Sequence, residues 1–143
     1  MAPIWFFGHM VAMLALHFLA PIAQWNLGAT RWLGLPPALG GFLLVLFGAG
    51  RFRRRSTTLR PYEEPGVLVT DGLHRYSRNP MYLGLLVSSF GAWIMLGSLS
   101  PGLAVLSLYW LLRHRFIAWE EYAMEARFGD AYRAYRQRVR RWL

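Results

Sequence analysis

The chain has 143 residues, of which 55% are hydrophobic and only 16% charged, with a formal net charge of +9. That length is one domain, and the charged share lies well below that of an ordinary soluble domain. Cysteine is absent, which excludes disulfides and thiolate metal sites, and all sixteen basic residues are arginine. The arginines border oily segments, so anionic lipid headgroups are the natural counter-charge and no nucleic-acid partner is expected.

A helix needs about 20 apolar residues to cross the hydrocarbon core. Residues 4–25 carry no formal charge and meet that length, and their start lacks the basic n-region of a signal peptide, so this helix is expected to be retained. Residues 32–50 form the second uncharged segment, with Pro36 and Pro37 placed where a first helical turn tolerates proline. Residues 79–112 are uncharged throughout and are interrupted by Gly97-Ser98-Leu99-Ser100-Pro101, which reads as a tight turn between helices over 80–97 and 101–119. The fourth helix reaches Arg113 early, but Phe116, Ile117 and Trp119 continue its apolar face and the arginines can snorkel. Beyond it, Gly129 suits a helix end and Asp130 an N-cap for an amphipathic helix over about 130–142. Tyr132, Tyr135, Val139 and Trp142 fall on one face of that helix. It would lie on the membrane surface or fold back over the preceding loop.

The expectation is an all-α integral membrane domain with four transmembrane helices, a loop over 51–79 and an amphipathic C-terminal helix. Seven arginines lie in 51–78 and eight in 113–141, against one between the first two helices and none in the turn. The positive-inside rule then puts both termini and the loop in the cytoplasm, as in the inner membrane of a bacterium.

The polar residues collect at that face. Hairpin geometry places Asn79-Pro80, at the start of the third helix, near Arg115 to Glu121 at the end of the fourth. Adjacent carboxylates point about 100° apart on a helix, so at most one of Glu120 and Glu121 is expected to face the third helix. Their plain role is to neutralise arginines; the sharper one is to anchor a cationic or hydroxylated ligand at a low-dielectric boundary. Arg78-Asn79-Pro80 could likewise be a topology signal and an ordinary helix start. Gly72, His74, Tyr76, Tyr82 and Gly84 beside it add rings for a flat base and close backbone approach.

"LVTDGLHRYSRNPMYLG" and the later "EEYAMEARFGDAYRAYRQRV" together resemble the membrane methyltransferases of the isoprenylcysteine carboxyl methyltransferase and phospholipid methyltransferase group. The shared signature is Arg-His-Pro or Arg-Asn-Pro before Tyr-x-Gly, then Glu-Glu before Phe-Gly-x-x-Tyr-x-x-Tyr. Here it falls on Arg78, Asn79, Pro80, Tyr82, Gly84, Glu120, Glu121, Phe128, Gly129, Tyr132 and Tyr135, within residues 56–141. The resemblance implies S-adenosylmethionine as methyl donor. By position Val67, Leu68, Val69 and His74 would border it, with Gly72 and Tyr76 in the same stretch. Asn79, Pro80, Met81, Tyr82 and Gly84 would form the pocket at the helix start, and Glu120 would hold a polar group of the cofactor. Arg78 and Glu121 are candidates for positioning. Phe116 stands where the prenylcysteine enzymes carry a substrate-binding arginine, which leaves Arg113 and Arg115 as the substrate-binding candidates. His74 and Asn79, in place of the tyrosine and histidine of the prenylcysteine enzymes, lean towards the phospholipid branch.

The implied reaction is an in-line displacement at the sulfonium methyl. It needs alignment and exclusion of water rather than a protein nucleophile. An amine acceptor would also need a base, for which His74 and Glu121 are the candidates at this stage. A lipid-like or small hydrophobic acceptor would enter from the bilayer and the cofactor from the cytosol. A scaffold or anionic-lipid-binding protein explains the arginines but not the ordered Gly, Tyr and Glu positions. His9 and His17 share a face of the first helix, but the second and third helices have no histidine to complete a haem site, so both are expected to be hydrogen-bonded interior residues. No strand precedes a glycine-rich turn, which excludes a soluble Rossmann methyltransferase.

Overall fold

The computed structural model describes residues 2–25, 28–54 and 67–143, and of 51–54 the backbone alone. The part of the basic loop over 55–66 lies outside the described residues. Every regular element among those described is helical: α1 (Ala2–Leu19), α2 (Leu35–Arg54), α3 (Pro80–Leu96), α4 (Pro101–Leu111) and α5 (Ala118–Arg138). Short 3-10 turns precede α2 (Gly28–Gly34) and α3 (Gly72–Arg75), and a π-helical turn, Leu112–Ile117, joins α4 to α5 without a break.

The first helix stops at Leu19 rather than running to residue 25. Pro21 lacks an N–H and disfavours the helical conformation at Ala20, so 20–25 continue as non-helical chain. Two stretches, Ala2–Leu19 and Gly28–Gly50, are long and apolar enough to cross a bilayer. Ile4, Phe7, Val11 and Phe18 on the first, and Phe42, Leu46 and Phe47 on the second, are largely exposed, as lipid-facing side chains are.

α2 packs on α3, α3 and α4 form an antiparallel hairpin, and α1 lies mainly along α4. The α2–α3 contact is backbone to backbone: a Cβ on Gly41 would stand 2.4 Å from the amide nitrogen of Ser88, and one on Gly84 2.6 Å from the carbonyl of Gly41. Gly84 therefore serves helix packing.

The hairpin turns where expected. Gly97 takes the left-handed conformation (φ 72°) and Pro101 opens α4. The chain after α1 is laid against this turn: the Trp25 amide donates to the Gly97 carbonyl (2.9 Å) and the Leu99 amide to the Ile22 carbonyl (2.9 Å). His17 Nδ1 meets Ser98 Oγ at 2.7 Å, and His9 lies 2.7 Å from the Trp5 carbonyl, so both histidines are hydrogen-bonded. At the opposite end Ala2, Leu108, Leu112 and Phe116 form a buried cluster with Phe6, Tyr82 and Leu85 against it.

α5 kinks at Gly129 (φ 50°, ψ −122°), a conformation suited to glycine, and folds back. Tyr132, Tyr135 and Val139 are buried together with Leu68, Met124 and Phe128. The C-terminal helix ends at Arg138, four residues short of the expected 142. Val139 is extended, and Trp142 leaves the helical face to lie 5.8 Å from the Tyr109 ring.

Candidate functional site

The open end of the α3–α4 hairpin holds a polar cavity of about 60 Å³. The loop before α3 supplies Leu68, Val69, His74, Arg78 and Asn79, and α5 supplies Glu120, Glu121, Met124, Tyr132 and Tyr135.

Both glutamates engage the α3 side, where the helical wheel allowed one. Glu121 accepts from Arg78 Nη2 at 3.0 Å and from Arg141 Nη2 and Nε at 2.5 and 3.2 Å. The Arg78 and Glu121 side chains are 9% and 10% exposed, so this is a buried ion pair in which loss of Glu121 would strand Arg78. Arg141, beside Glu121, is held above even the ordinary arginine range by that hydrogen bond. Glu120 instead accepts a hydrogen bond from the Tyr82 hydroxyl in the first turn of α3. Burial, countered by the Tyr82 hydrogen bond and aided by the neighbouring Glu121 charge, pushes the Glu120 carboxyl up to about 7.

Asn79 shows why the loop holds its shape. Its side-chain amide donates to the Arg141 carbonyl (3.1 Å), and the Arg78 amide donates to the Arg140 carbonyl (3.0 Å). The extended residues after α5 thus strap the loop to the helix. Tyr135 adds a buried hydrogen bond from its hydroxyl to the His74 carbonyl (2.7 Å). Burial raises the Tyr132 and Tyr135 phenols to about 12, which keeps them neutral donors.

Nine of the residues singled out in the sequence line the cavity: Leu68, Val69, His74, Arg78, Asn79, Glu120 and Glu121 as expected site residues, and Tyr132 and Tyr135 as signature positions given no place in the pocket. Tyr82 reaches it through Glu120. Pro80 is buried as the first residue of α3, Met81 borders Gly48 of α2, and Gly72 takes a left-handed φ of 58° in the loop. Val67 and Tyr76 are 42% and 74% exposed and lie off the cavity. Arg113 and Arg115 are exposed on the helix surface, with Arg113 Nη1 donating to the Tyr109 hydroxyl at 2.7 Å.

The sequence reading missed Met124, Tyr132 and Tyr135 as wall residues, and Arg141 altogether. The tyrosines were in view as an apolar face, and Met124 falls one helical turn beyond the acidic pair. Nothing local to Arg141 distinguishes it from the arginines around it.

The cavity has donors to spare. Among the described residues, Arg78 Nε and Nη1 are buried without a hydrogen-bond partner, although Nη2 is committed to Glu121. Guanidinium N–H donors left over in this way match the oxygens of a carboxylate in charge-assisted hydrogen bonds. The amino-acid end of S-adenosylmethionine carries such a carboxylate, so the residues present fit that group. The enclosed volume is far below the several hundred Å³ of a typical ligand pocket, so only one end of such a molecule would be enclosed.

The chain resembles known proteins over about half of its length. It is 34% identical over 73 residues to the protein-S-isoprenylcysteine O-methyltransferase of Schizosaccharomyces pombe, a match that covers 51% of this chain and 31% of that protein. The protein-S-isoprenylcysteine O-methyltransferase A of Arabidopsis thaliana is 36% identical over 78 residues, 54% of this chain and 40% of its own length. An uncharacterised protein of Haemophilus influenzae is 41% identical over 63 residues, its whole length and 44% of this chain. The matches thus span well under half of the two named methyltransferases. No solved structure matches the chain. A family model described as phospholipid methyltransferase matches residues 29–131, most of the chain, and the chain belongs to that family.

Proposed function

We propose that the protein transfers a methyl group from S-adenosylmethionine to a lipid-like or small hydrophobic acceptor at the cytoplasmic face of a membrane. The observation that carries this reading is that buried Arg78, a wall residue of a cavity built from the family's two motifs, has two N–H groups, Nε and Nη1, without a partner among the described residues. When bound, the cofactor supplies an electrophilic methyl on a sulfonium. Arg78 would hold its carboxylate, Glu121 and Arg141 would fix Arg78, and His74, Asn79 and Glu120 would complete the polar wall. Leu68, Val69 and Met124 supply apolar surface for the remainder of the molecule.

The acceptor would come from the other side. The cluster of Phe116, Leu108, Leu112 and Phe6 abuts Tyr82, so an acyl or prenyl chain lying among these helices would bring its head to the cavity. Arg113 and Arg115, exposed at the same end, suit an anionic headgroup. Four crossings, with both termini and the loop on the cytoplasmic side of a bacterial inner membrane, agree with the packing: Ala2 at the start of α1 lies beside Phe116, and Gly48 near the end of α2 lies beside Met81.

The test is calorimetric titration of the purified protein in detergent with S-adenosylmethionine and with its demethylated product. Micromolar binding to the wild type, lost in Arg78→Ala, is the expected result. A folded sample that binds neither at millimolar ligand would return the protein to a lipid-binding or scaffold role.

A further inference from the structure

Of the two adjacent carboxylates, one is spoken for. Both Glu121 oxygens are taken by guanidinium groups, which leaves neither open to a substrate. Glu120 differs in every respect. Among the described residues it forms no ion pair, and its one hydrogen bond is from Tyr82, which leaves Oε2 open. Its position is also different. One side of Glu120 lines the polar cavity; on the other, the Tyr82 ring packs 6.3 Å from the Phe116 ring in the apolar cluster. A methyl donor held in the cavity and an acceptor held among apolar helices can meet only at such a boundary.

We propose that Glu120, steadied by Tyr82, is the catalytic base that takes a proton from the methyl acceptor. This deepens the methyltransferase reading and rests on it. The acceptor is then one whose reacting atom carries a proton at neutral pH, an ammonium above all. That proton passes to Glu120 Oε2 and frees the lone pair. The lone pair forms the new bond to the methyl carbon, and the carbon–sulfur bond breaks with its electrons going to sulfur. Glu120 afterwards releases its proton to water through the cavity. A carboxylate acceptor has no proton to give and would be repelled by Glu120. The aromatic walls of Phe116 and Tyr82 suit an ammonium better than an anion.

The surroundings favour this exchange near neutrality. Burial sets the carboxyl near 7, where a base is most effective at cellular pH. The titratable and charged groups lining the cavity with it are Glu121, already neutralised by Arg78 and Arg141, together with His74, Tyr132 and Tyr135. Tyr82 faces it from α3 and stabilises its charged form.

The experiment uses the full chain in detergent with S-adenosylmethionine and two probes that differ only at the head, dodecylamine and dodecanoate. In the wild type, transfer to the amine should exceed transfer to the carboxylate at least about tenfold, with an inflexion near pH 7. Glu120→Gln should lower the amine rate at saturating cofactor by about 10²- to 10⁴-fold and abolish that inflexion. Tyr82→Phe should move the inflexion to higher pH. Infrared difference spectra without cofactor give a readout independent of turnover: a protonated-carboxyl band titrating near pH 7, present in Glu121→Gln and absent from Glu120→Gln. An amine rate in Glu120→Gln within a few-fold of wild type, preference for dodecanoate, or a Glu120 ionised throughout the range from about pH 5 to 8 would overturn the proposal and leave the methyltransferase reading intact. Failure of the wild type to bind the cofactor or its product would overturn both.

Discussion

The two ends of the α3–α4 hairpin are closed in the same way by different means. At the turn, the segment after α1 donates and accepts backbone hydrogen bonds with Gly97 and Leu99, and the side chains that help, His17, Ser98 and Ser100, carry no formal charge. At the open end, carbonyls of the segment after α5 accept from the Arg78 backbone amide and the Asn79 side-chain amide, but the side chains there are charged and a cavity lies between them. Neutral groups at the turn find partners in their immediate neighbours. Among the described residues, the charged end keeps two guanidinium donors of Arg78 unmatched, and few buried polar groups in a folded protein lack a partner. One end is closed by neutral groups, the other by buried charge around a cavity.

The largest effect should come from the charged end. Arg78→Ala takes one of two cations from Glu121, which keeps Arg141, and should cost about 1.5–3 kcal/mol in denaturant unfolding in detergent as well as cofactor binding. At the neutral end, Gly97→Ala must hold a left-handed backbone and should cost about 1–2 kcal/mol while leaving cofactor affinity unchanged. A Gly97→Ala protein that binds cofactor as weakly as Arg78→Ala would break the division between the ends. Tyr135→Phe removes a buried hydrogen bond to the His74 carbonyl and should cost about 1 kcal/mol, read as a lowered unfolding midpoint.

The smallest effect is a pH dependence. A carboxyl raised from 4.5 to about 7 binds its proton more tightly in the folded state. Its contribution to stability is therefore present below about pH 4.5 and is lost as pH rises through about 7. Glu120→Gln should flatten that part of the stability profile. Because Glu120 is partly exposed, solvent screening keeps the change modest.

Much of this was legible in the chain itself. The uncharged runs, the Gly97–Pro101 turn and the meeting of Asn79 with the acidic pair follow from composition and hairpin geometry, and the structure has all three. The division of labour between Glu120 and Glu121 was not. A helical wheel measures where Cα–Cβ bonds point, whereas Arg78 reaches from the loop before α3 and Tyr82 from within it, so two carboxylates 100° apart both find partners. Arg141 was hidden for another reason: its role depends on where α5 stops, and the extended strap that stops it is a tertiary contact with Arg78 and Asn79. Arg113 and Arg115 carried the right charge at the right depth, but side-chain direction past residue 111 depends on a turn that is not α-helical.

That turn, Leu112–Ile117, has the wider π pitch, which accommodates one more residue than an α-helix would over the same length. It acts as a phase shifter for everything downstream. Were the same six residues wound as ordinary α-helix, α5 would rotate by about 100° about its axis. Trp119 would then be brought to Tyr82, and Glu120 would take the place between the arginines. Deleting one residue inside the turn would remove the bulge yet leave both glutamates facing as they do now. A shortened chain would thus keep its chemistry, and a straightened one would exchange it.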